Sequence, residues 1–191
     1  MDWYLLNTWK GREEELVKVI HKTVPFDLYQ ECFVIYQERI WRKQQKSIIH
    51  VEPLFPGCVF LTCKKNDVKK EGYSIYQSLT QILNVEGRKI CGDFTILPLM
   101  DEDAEFLKKI SGKDHIVRLS YVIKNEQGQV CKITDPLKTF QGQIERYQFK
   151  KRYAMVRHKL WGEERAIVMG IVLKEDRDQK NPSDLRESIF K

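Results

Sequence analysis

The sequence predicts an α+β protein in which a domain of sheet and helices is followed by an all-β barrel. Two observations predict this class. Up to about residue 112, strand and helix patterns follow one another in the order strand, helix, strand, strand, helix, strand, helix. Beyond the polar connection SGKDH (111–115), helical periodicity largely disappears and turn residues recur at close spacing. Short hairpins in the first part indicate an antiparallel four-stranded sheet flanked by helices, and the close turns are typical of a small barrel.

The division of the chain follows from this change of character. We place the first domain at 1–112, a short linker at 113–117, the barrel at 118–176 and a charged C-terminal tail at 177–191. The length of 191 residues suits two small domains, and a hydrophobic content of 42% with 31% charged residues is ordinary for a soluble globular protein. The N-terminus lacks the pattern of a signal peptide and no apolar run is long enough for a membrane helix, so we expect a cytoplasmic protein without a membrane partner.

Each element of the first domain has its own pattern. A first strand is predicted at 3–9, where WYLLNTW is aromatic and apolar. A helix is predicted next, because acidic residues at its start complement a helix N-terminus and the residues after them form an apolar stripe. The next strand runs into a long hairpin. Predicted ranges are 12–23 for this helix, 32–36 for the second strand, 66–80 for the next helix, 82–85 for a short strand and 96–112 for the last helix.

The segment EPLFPGCVFL (52–61) is the corner from which a central strand begins. Pro53 and Pro56 fix φ, and Gly57 permits a conformation that a side chain obstructs. Period-two alternation then places Val59 and Leu61 on one face of the strand and Cys58 and Phe60 on the other. Because both faces are apolar, we expect one to be covered by the helices of the domain and the other by something else.

The second domain contains four short β-rich runs between its turns. They lie at 130–133, 143–147, 153–156 and 166–173. The tail from Glu175 is highly charged and is expected to be loose, with a short final helix from Asn181 to Phe190. About 60 residues of such strands are just enough to form a core of their own.

Residue types that can act in catalysis or bind metals are present, but their spacing fits neither role. The four histidines are scattered and have no Cys or His partner at ligand spacing. The five cysteines include no CxxC pair and lie in or beside apolar stretches, which favours reduced core thiols. Acidic pairs stand at helix starts, where they complement the helix dipole. We therefore predict that the protein is not an enzyme and uses no metal or cofactor.

Positive charge is clustered in the second domain. The net charge is +6 and the pI near 9.0, and the segment RYQFKKRYAMVRHK (146–159) holds six Lys or Arg, one His and no acid. Aromatic residues are interleaved with these cations, an arrangement that neutralises phosphates and stacks on unpaired bases. The tip of the hairpin, with Arg39, Arg42, Lys43 and Lys46, is a further candidate contact to DNA or RNA. For both segments a solvated charged face is the alternative.

Three stretches resemble the NusG family of transcription elongation factors, over roughly residues 2–176. They are WYLLNTWKG at the start, EPLFPGCVFL, which is similar to the family motif PLFPGYVF, and GQVCKITDPLKTFQGQIERYQFKKRYAMV, which is similar to a KOW motif with Gly142 at its glycine position. Cys58 stands where the family motif has tyrosine. The basic segment is longer than in general members, so the chain is most similar to the specialised LoaP type, with RfaH a more distant relative.

The resemblance implies an N-terminal (NGN) domain that docks on the clamp helices of RNA polymerase, and an SH3-like KOW barrel that recruits other partners. For LoaP-type members it implies processive antitermination on long biosynthetic operons and binding of an RNA hairpin in the leader transcript, with nontemplate DNA as a further partner of a monomer. By motif position, the polymerase contacts are Asn7, Phe55, Pro56, Gly57, Cys58 and Phe60. The RNA contacts are Lys138, Arg146, Lys150, Lys151, Arg152, Arg157, His158 and Lys159.

The alternative within the same family is a general elongation factor whose KOW barrel binds proteins, either the ribosome or a termination factor. A protein of the translation apparatus, or an enzyme, is hard to reconcile with the motif of the first domain.

Overall fold

The computed structural model describes residues 1–43, 46–63, 77 and 95–177, and it confirms the α+β class. The chain forms two compact units, each assembled from two segments. Unit 1 contains Met1–Ile35 and Phe55–Phe106, and unit 2 contains Tyr36–Leu54 and Leu107–Lys191. The hairpin of the first half therefore belongs to the same unit as the C-terminal strands. The predicted domain boundaries remain a prediction.

Unit 1 is built on a four-stranded antiparallel sheet in the order β2, β5, β1, β6. The strands are β1 (Asp2–Asn7), β2 (Glu31–Phe33), β5 (Cys58–Cys63) and β6 (Ile96–Pro98). Helix α1 (Glu13–Thr23) packs against β2 and β5 through its buried apolar stripe. As predicted, the first turn of this helix contains three acidic residues, whose negative charge complements the helix dipole.

The predicted last helix of this region is shorter than expected. Helix α2 spans Asp101–Ser111, and the residues before it, Ile96–Pro98, form strand β6 beside β1. Proline is tolerated there because β6 is an edge strand of the sheet. The predicted helix at 66–80, the short strand at 82–85 and the terminal helix at 181–190 lie outside the described residues.

Unit 2 contains the long hairpin that the sequence predicts. Strands β3 (Tyr36–Lys43) and β4 (Lys46–Pro53) are antiparallel, and β3 also pairs in parallel with the short strand β7 (Ile116–Val117). Strand β3 packs on a strand of the second sheet at Gly170, where an added Cβ would lie only 2.3 Å from the carbonyl oxygen of Glu38. The missing side chain of Gly170 allows this close approach.

The second sheet of unit 2 has five strands in the order β10, β11, β12, β8, β9. These are β8 (Ser120–Lys124), β9 (Val130–Ile133), β10 (Ile144–Gln148), β11 (Tyr153–Leu160) and β12 (Glu163–Leu173). A 3-10 helix (Leu137–Gln143) precedes β10, and another (Phe149–Lys151) separates β10 from β11. Strands β12 and β8 pair in parallel, whereas the other neighbours are antiparallel. Strands β7 and β8 were not predicted.

The beginning of the charged tail is ordered. Residues Lys174–Arg177 form the short helix α3, and Asp176 is 3% exposed. The expectation of a loose tail from Glu175 is therefore wrong for these residues, since a buried carboxylate holds them to the sheet.

Candidate functional site

The proline corner is fixed by backbone contacts with α1 and the end of β1. The Gly57 N–H donates to the Glu13 carboxylate at 2.6 Å, and the Thr8 N–H donates to the Gly57 carbonyl at 2.9 Å. Gly57 has φ +85°, and a Cβ there would lie 2.9 Å from the Thr8 carbonyl oxygen. Glycine is thus required both by conformation and by space, and Gly57 supports the corner through its backbone.

The two faces of strand β5 are both covered within unit 1. Val59 and Leu61 are fully buried, as predicted for the inner face, but Phe60 is fully buried as well. The rings of Trp3 and Phe33 lie 6.2 Å and 6.0 Å from its ring. The prediction that Phe60 faces a partner is corrected by this burial. The buried Phe60 ring packs beneath the residues that are exposed on this face.

The residues that remain at the surface of this face are half-buried. They are Phe55, whose ring is 6.2 Å from that of Phe60, together with Cys58 and Asn7, which are directly paired on β5 and β1. Asn7 Oδ1 accepts hydrogen bonds from the backbone N–H and hydroxyl of Thr95, at 2.6 and 2.8 Å. Pro56 is exposed at the corner.

An apolar strip extends this surface toward the edge of the sheet. Leu5 pairs with Phe60 on one side and with Leu97 on the other, so that all three lie on one face. Leu97 is 44% exposed. Sequence reasoning missed Leu97, because it interpreted the residues before Asp101 as helix rather than strand.

The predicted RNA contacts do not all lie on one face of the protein. Arg146 pairs with Met155 across β10 and β11, and Arg157 and Lys159 follow at period-two positions, so these three cations share the solvent face. Acidic residues lie among them. Arg157 forms an exposed ion pair with Glu145 at 3.0 Å, and Glu164 is opposite Lys159 in the register.

Lys150 and Lys151 are exposed in the 3-10 turn between these strands, where strand alternation does not apply. Arg152 ends this turn in the left-handed conformation, with φ 56°. Its side chain is buried at 3% exposure, and Nε lies 2.7 Å from Asp176 Oδ2. The predicted RNA contact at Arg152 is therefore corrected, because its guanidinium is sequestered in an internal ion pair.

The buried ion pair is completed by four further contacts. Arg152 Nη2 donates to Glu175 Oε1 at 2.9 Å, and Nη1 donates to the Phe149 carbonyl. Asp176 also accepts hydrogen bonds from the Ser47 hydroxyl at 3.0 Å and from the Leu173 N–H at 2.9 Å. The cluster thus connects the turn, the hairpin and helix α3.

The aromatic residues interleaved with the cations already contact protein groups. The rings of Tyr147 and Phe149 are stacked at 5.4 Å, and Lys124 Nζ lies 4.8 Å above the Phe149 ring. Burial raises the pKa of the Tyr147 phenol. Tyr153 has the Arg39 guanidinium over its ring at 5.4 Å. These rings consequently offer less free surface to a base than the sequence predicts.

The remaining predicted cations are placed differently. Lys138 is exposed on a 3-10 helix and lines a shallow groove of about 230 Å³ with Cys131 and Lys132. His158 is half-buried, and its Nδ1 lies 3.0 Å from Gln143 Oε1.

On the hairpin, Arg39 is bound to Glu52 at 3.2 Å, whereas Arg42 is exposed. The side chains of Lys43 and Lys46 lie outside the described residues. The exposed ring of Trp41, between these cations in sequence, was missed.

Other expectations concern metals, membranes and thiols. Within residues 1–43, 46–63, 77 and 95–177, no cluster of His, Cys, Asp and Glu is suited to a metal ion, and no helix has the length and apolar character to cross a membrane. Cys32 and Cys63 are buried thiols, and burial, with the negative charge of Glu14, raises the pKa of the Cys32 thiol to about 12. Cys131 is exposed, contrary to the prediction of core thiols.

Comparison with known proteins gives a family match for the first half of the chain. The model of the family described as "Transcription termination factor nusG" matches residues 1–107. A solved structure from Thermotoga maritima, described as domain interaction in the NusG of that organism, has 17% sequence identity and a TM-score of 0.42, covering 88% of this chain and 93% of that one. A search of curated proteins found no match.

Proposed function

The chain belongs to the NusG family of transcription factors, and we propose that it is an antitermination factor of the LoaP type. In this proposal the NGN domain binds the clamp helices of RNA polymerase and keeps the enzyme elongating past terminators. The basic KOW domain binds a structured leader RNA and so directs the factor to its operon. The cluster of exposed cations at the β10–β11 turn is the observation that carries the RNA half.

The proposed polymerase surface is the partly exposed apolar strip of unit 1. Phe55, Cys58 and Leu97 lie on or beside the outer face of the sheet, and Pro56 is exposed next to them. When a partner covers such a strip, the complex is stabilised by about 25 cal/mol per Å² of apolar area removed from water. Phe60 holds the strip in place without contacting the partner. Because a thiol is smaller than a phenol, Cys58 contributes less contact than the tyrosine of the family motif.

The proposed RNA surface is centred on Lys150 and Lys151, which are both exposed in the turn that follows β10, the strand of the exposed Arg146. Arg157 and Lys159 extend it along β11. The ion pair of Arg157 with Glu145 is exposed on both sides, and a pair of this kind contributes only about 0–1 kcal/mol. A phosphate therefore competes with it at little cost.

A transcription assay with purified polymerase tests the proposal. The full chain is added to two templates with a downstream terminator, one with the leader and one without it. We expect increased readthrough on the leader template only. No gain in readthrough on either template would remove the proposal.

Two variants separate the halves of the proposal. Phe55→Ala should abolish readthrough, whereas Phe26→Ala, which changes another exposed ring of unit 1 (72% exposed), should not. The pair Lys150→Glu and Lys151→Glu should abolish the dependence on the leader, with the exposed adjacent pair Lys108→Glu and Lys109→Glu as the matched charge control.

RNA binding by the same lysine variants gives a second measurement. Loss of two phosphate contacts should lower the slope of log K against log salt by roughly 1.4–1.8. An unchanged slope, with leader RNA bound no better than an unrelated RNA at physiological salt, would refute the RNA half while leaving polymerase binding intact.

One observation favours the general elongation factor as a second candidate. Glu145 and Glu164 lie among the cations of the solvent face, where their negative charge opposes a phosphate but is complementary to a basic group of a protein partner. In that case the KOW domain binds the ribosome or a termination factor, and the gene lies beside secretion or ribosomal-protein genes. A gene beside one large biosynthetic cluster favours the LoaP type.

A further inference from the structure

The shallow groove of unit 2 runs along strand β9, which is an edge strand of the five-stranded sheet. All four residues of this strand, Val130–Ile133, line the groove. Successive side chains of a strand point to opposite faces of the sheet, so a groove that contacts four in a row lies beside the strand rather than over one face. Among the described residues, no other strand pairs with this side of β9.

The second wall of the groove comes from the 3-10 helix that precedes β10. Lys138 and Gln141 of this helix line it opposite the strand. The volume of about 230 Å³ is below the roughly 300–1,000 Å³ that is usual for small-molecule sites. A strand added to a sheet lies about 4.8 Å from the edge strand, which is where this groove runs. Its shape therefore fits an extended chain better than a compact ligand.

The backbone of β9 has hydrogen-bonding groups on the side of the groove. Directly after the strand, the Thr134 N–H donates to the Tyr121 carbonyl of β8 at 3.0 Å. In an antiparallel ladder, residues bonded to the partner strand alternate with residues whose N–H and C=O point away from it. Those of Ile133, which is opposite Val122 in the register, consequently point away from β8. Such groups on an edge strand are a template for pairing with another chain.

The charge of the groove identifies the chemistry of the partner. Lys132 and Lys138 are both exposed and come from its two walls, and none of the described residues that line it is acidic. The nearby carboxylate of Asp135 accepts the Thr139 hydroxyl at 2.8 Å and does not line the groove. Carboxylates of a partner complement these two lysines. A nucleic-acid strand has no repeating N–H and C=O groups to continue a ladder, and no lining residue is an aromatic on which a base could stack.

We propose that this groove binds an extended, acidic segment of a protein partner, which pairs with β9 and adds a strand to the sheet. In binding of this kind, main-chain hydrogen bonds supply affinity and alternate side chains supply specificity. The carboxylates of the segment are placed next to Lys132 and Lys138. The inference goes beyond the proposed function, because the groove lies outside the β10–β11 turn and its occupation requires neither polymerase nor RNA.

The test measures binding of three fluorescent eight-residue peptides to the full chain by anisotropy, at physiological salt and without polymerase. The first peptide alternates valine and glutamate, and the second has lysine in place of glutamate. The third is the first with proline at one central valine, which keeps the charge but removes a backbone donor. We expect the glutamate peptide to bind at least tenfold more tightly than either of the others.

A double charge reversal locates the binding site. Lys132→Glu with Lys138→Glu should weaken binding of the glutamate peptide roughly five- to thirtyfold, the range expected when two exposed ion pairs become repulsions. The matched control is Lys113→Glu with Lys174→Glu, which changes the net charge equally at two exposed residues of unit 2 that do not line the groove. This control should bind like wild type. Thermal unfolding followed by circular dichroism shows that both variants are folded.

The wild-type chain provides a second readout, because the exposed Cys131 lines the groove. Bound glutamate peptide should slow alkylation of Cys131 by iodoacetamide and slow hydrogen exchange in Val130–Ile133. Alkylation of Cys58, which lies in unit 1, should not change.

Four results would overturn the proposal. They are no binding of the glutamate peptide, equal binding of all three peptides, an equal loss in both double variants, or protection of Cys131 by a 12-nucleotide uridine RNA but not by the peptide. Self-association of the chain that disappears in Lys132→Glu with Lys138→Glu would instead assign the groove to a second copy. Because polymerase and leader RNA are absent from the peptide assay, its failure leaves the antitermination proposal standing, and failure of readthrough leaves this one standing.

Discussion

Replacing Arg152 by methionine tests whether this residue is structural or binds RNA. Arg152→Met keeps a long apolar stem but removes the guanidinium that contacts Asp176 at 2.7 Å. Asp176, 3% exposed, retains hydrogen bonds from the Ser47 hydroxyl and the Leu173 N–H but loses its cation. Breaking a buried pair on one side costs about 3–5 kcal/mol, since a charge stays buried without compensation.

The contact with Glu175 adds little to this figure, because Glu175 is 54% exposed and an exposed pair is worth at most about 1 kcal/mol. The left-handed backbone at Arg152 does not change the expected loss of stability, since methionine has the same conformational cost there as arginine. We therefore expect the free energy of unfolding of unit 2 to fall by about 3–5 kcal/mol.

The assay is urea unfolding of the full chain, followed by circular dichroism and by hydrogen exchange in peptides from β11 and β12. Lys151→Met, the exposed neighbour, is the control that removes one positive charge without opening a buried pair. The double variant Arg152→Met and Asp176→Leu should recover much of the loss, because it removes the orphaned carboxylate.

RNA binding completes the test under conditions in which each variant is folded. Lys151→Met should weaken RNA binding, whereas Arg152→Met should not. If Arg152→Met lost less than about 1 kcal/mol of stability and weakened RNA binding more than Lys151→Met, the inference from burial would be wrong.

Three further predictions concern glycines and a thiol. Gly57→Ala should destabilise unit 1 by about 1–3 kcal/mol, because it adds a Cβ 2.9 Å from a carbonyl oxygen at a residue with φ +85°. The control Gly128→Ala, at φ +80° but with open space around the Cβ, should cost less stability, and equal losses would contradict the steric argument. Gly170→Ala should lower the thermal midpoint of unit 2 more than Gly128→Ala, because its Cβ would meet backbone at 2.3 Å, and a midpoint no lower than that of the control would show that β3 does not need this approach. With its pKa raised from 9.0 to about 12, the Cys32 thiol should resist iodoacetamide at pH 8.5 while Cys131 reacts. Because the thiolate forms first in the unfolded chain, the contribution of Cys32 to stability should be constant below about pH 9 and should fall between pH 9 and 12, by about 1.4 kcal/mol at pH 10. The difference in stability between wild type and Cys32→Ala should follow this fall, and rapid alkylation of Cys32 would refute the burial argument.

Local features of the fold were predictable because they depend on neighbours in sequence. The acids that begin α1, the turn at Gly57 and the alternation along β11 are each determined within a few residues. The α+β class of the chain followed from the same local patterns. Strand β6 was missed, since three residues before a helix carry too little periodicity to be recognised.

The environment of the candidate site depends on distant residues and was not predictable. Phe60 is buried by Trp3 and Phe33, which belong to two other strands. Arg152 is sequestered by Asp176, twenty-four residues later, in a segment whose composition is typical of a solvated tail. The three cations from Lys150 to Arg152 were all expected to contact RNA, but the helical turn leaves the two lysines exposed and buries the arginine at its end.

The packing of β3 on β12 has a consequence for synthesis on the ribosome. Hairpin β3–β4 is complete once residue 53 has emerged, but its packing partner β12 ends only at residue 173. At roughly 5–20 residues per second, the hairpin waits on the order of ten seconds for this partner. Contacts so distant in sequence slow folding, because the intervening loop must be closed before they form. The first hairpin to be synthesised is thus among the last elements to be completed, and the nascent chain displays its exposed strands, including Trp41, throughout that interval.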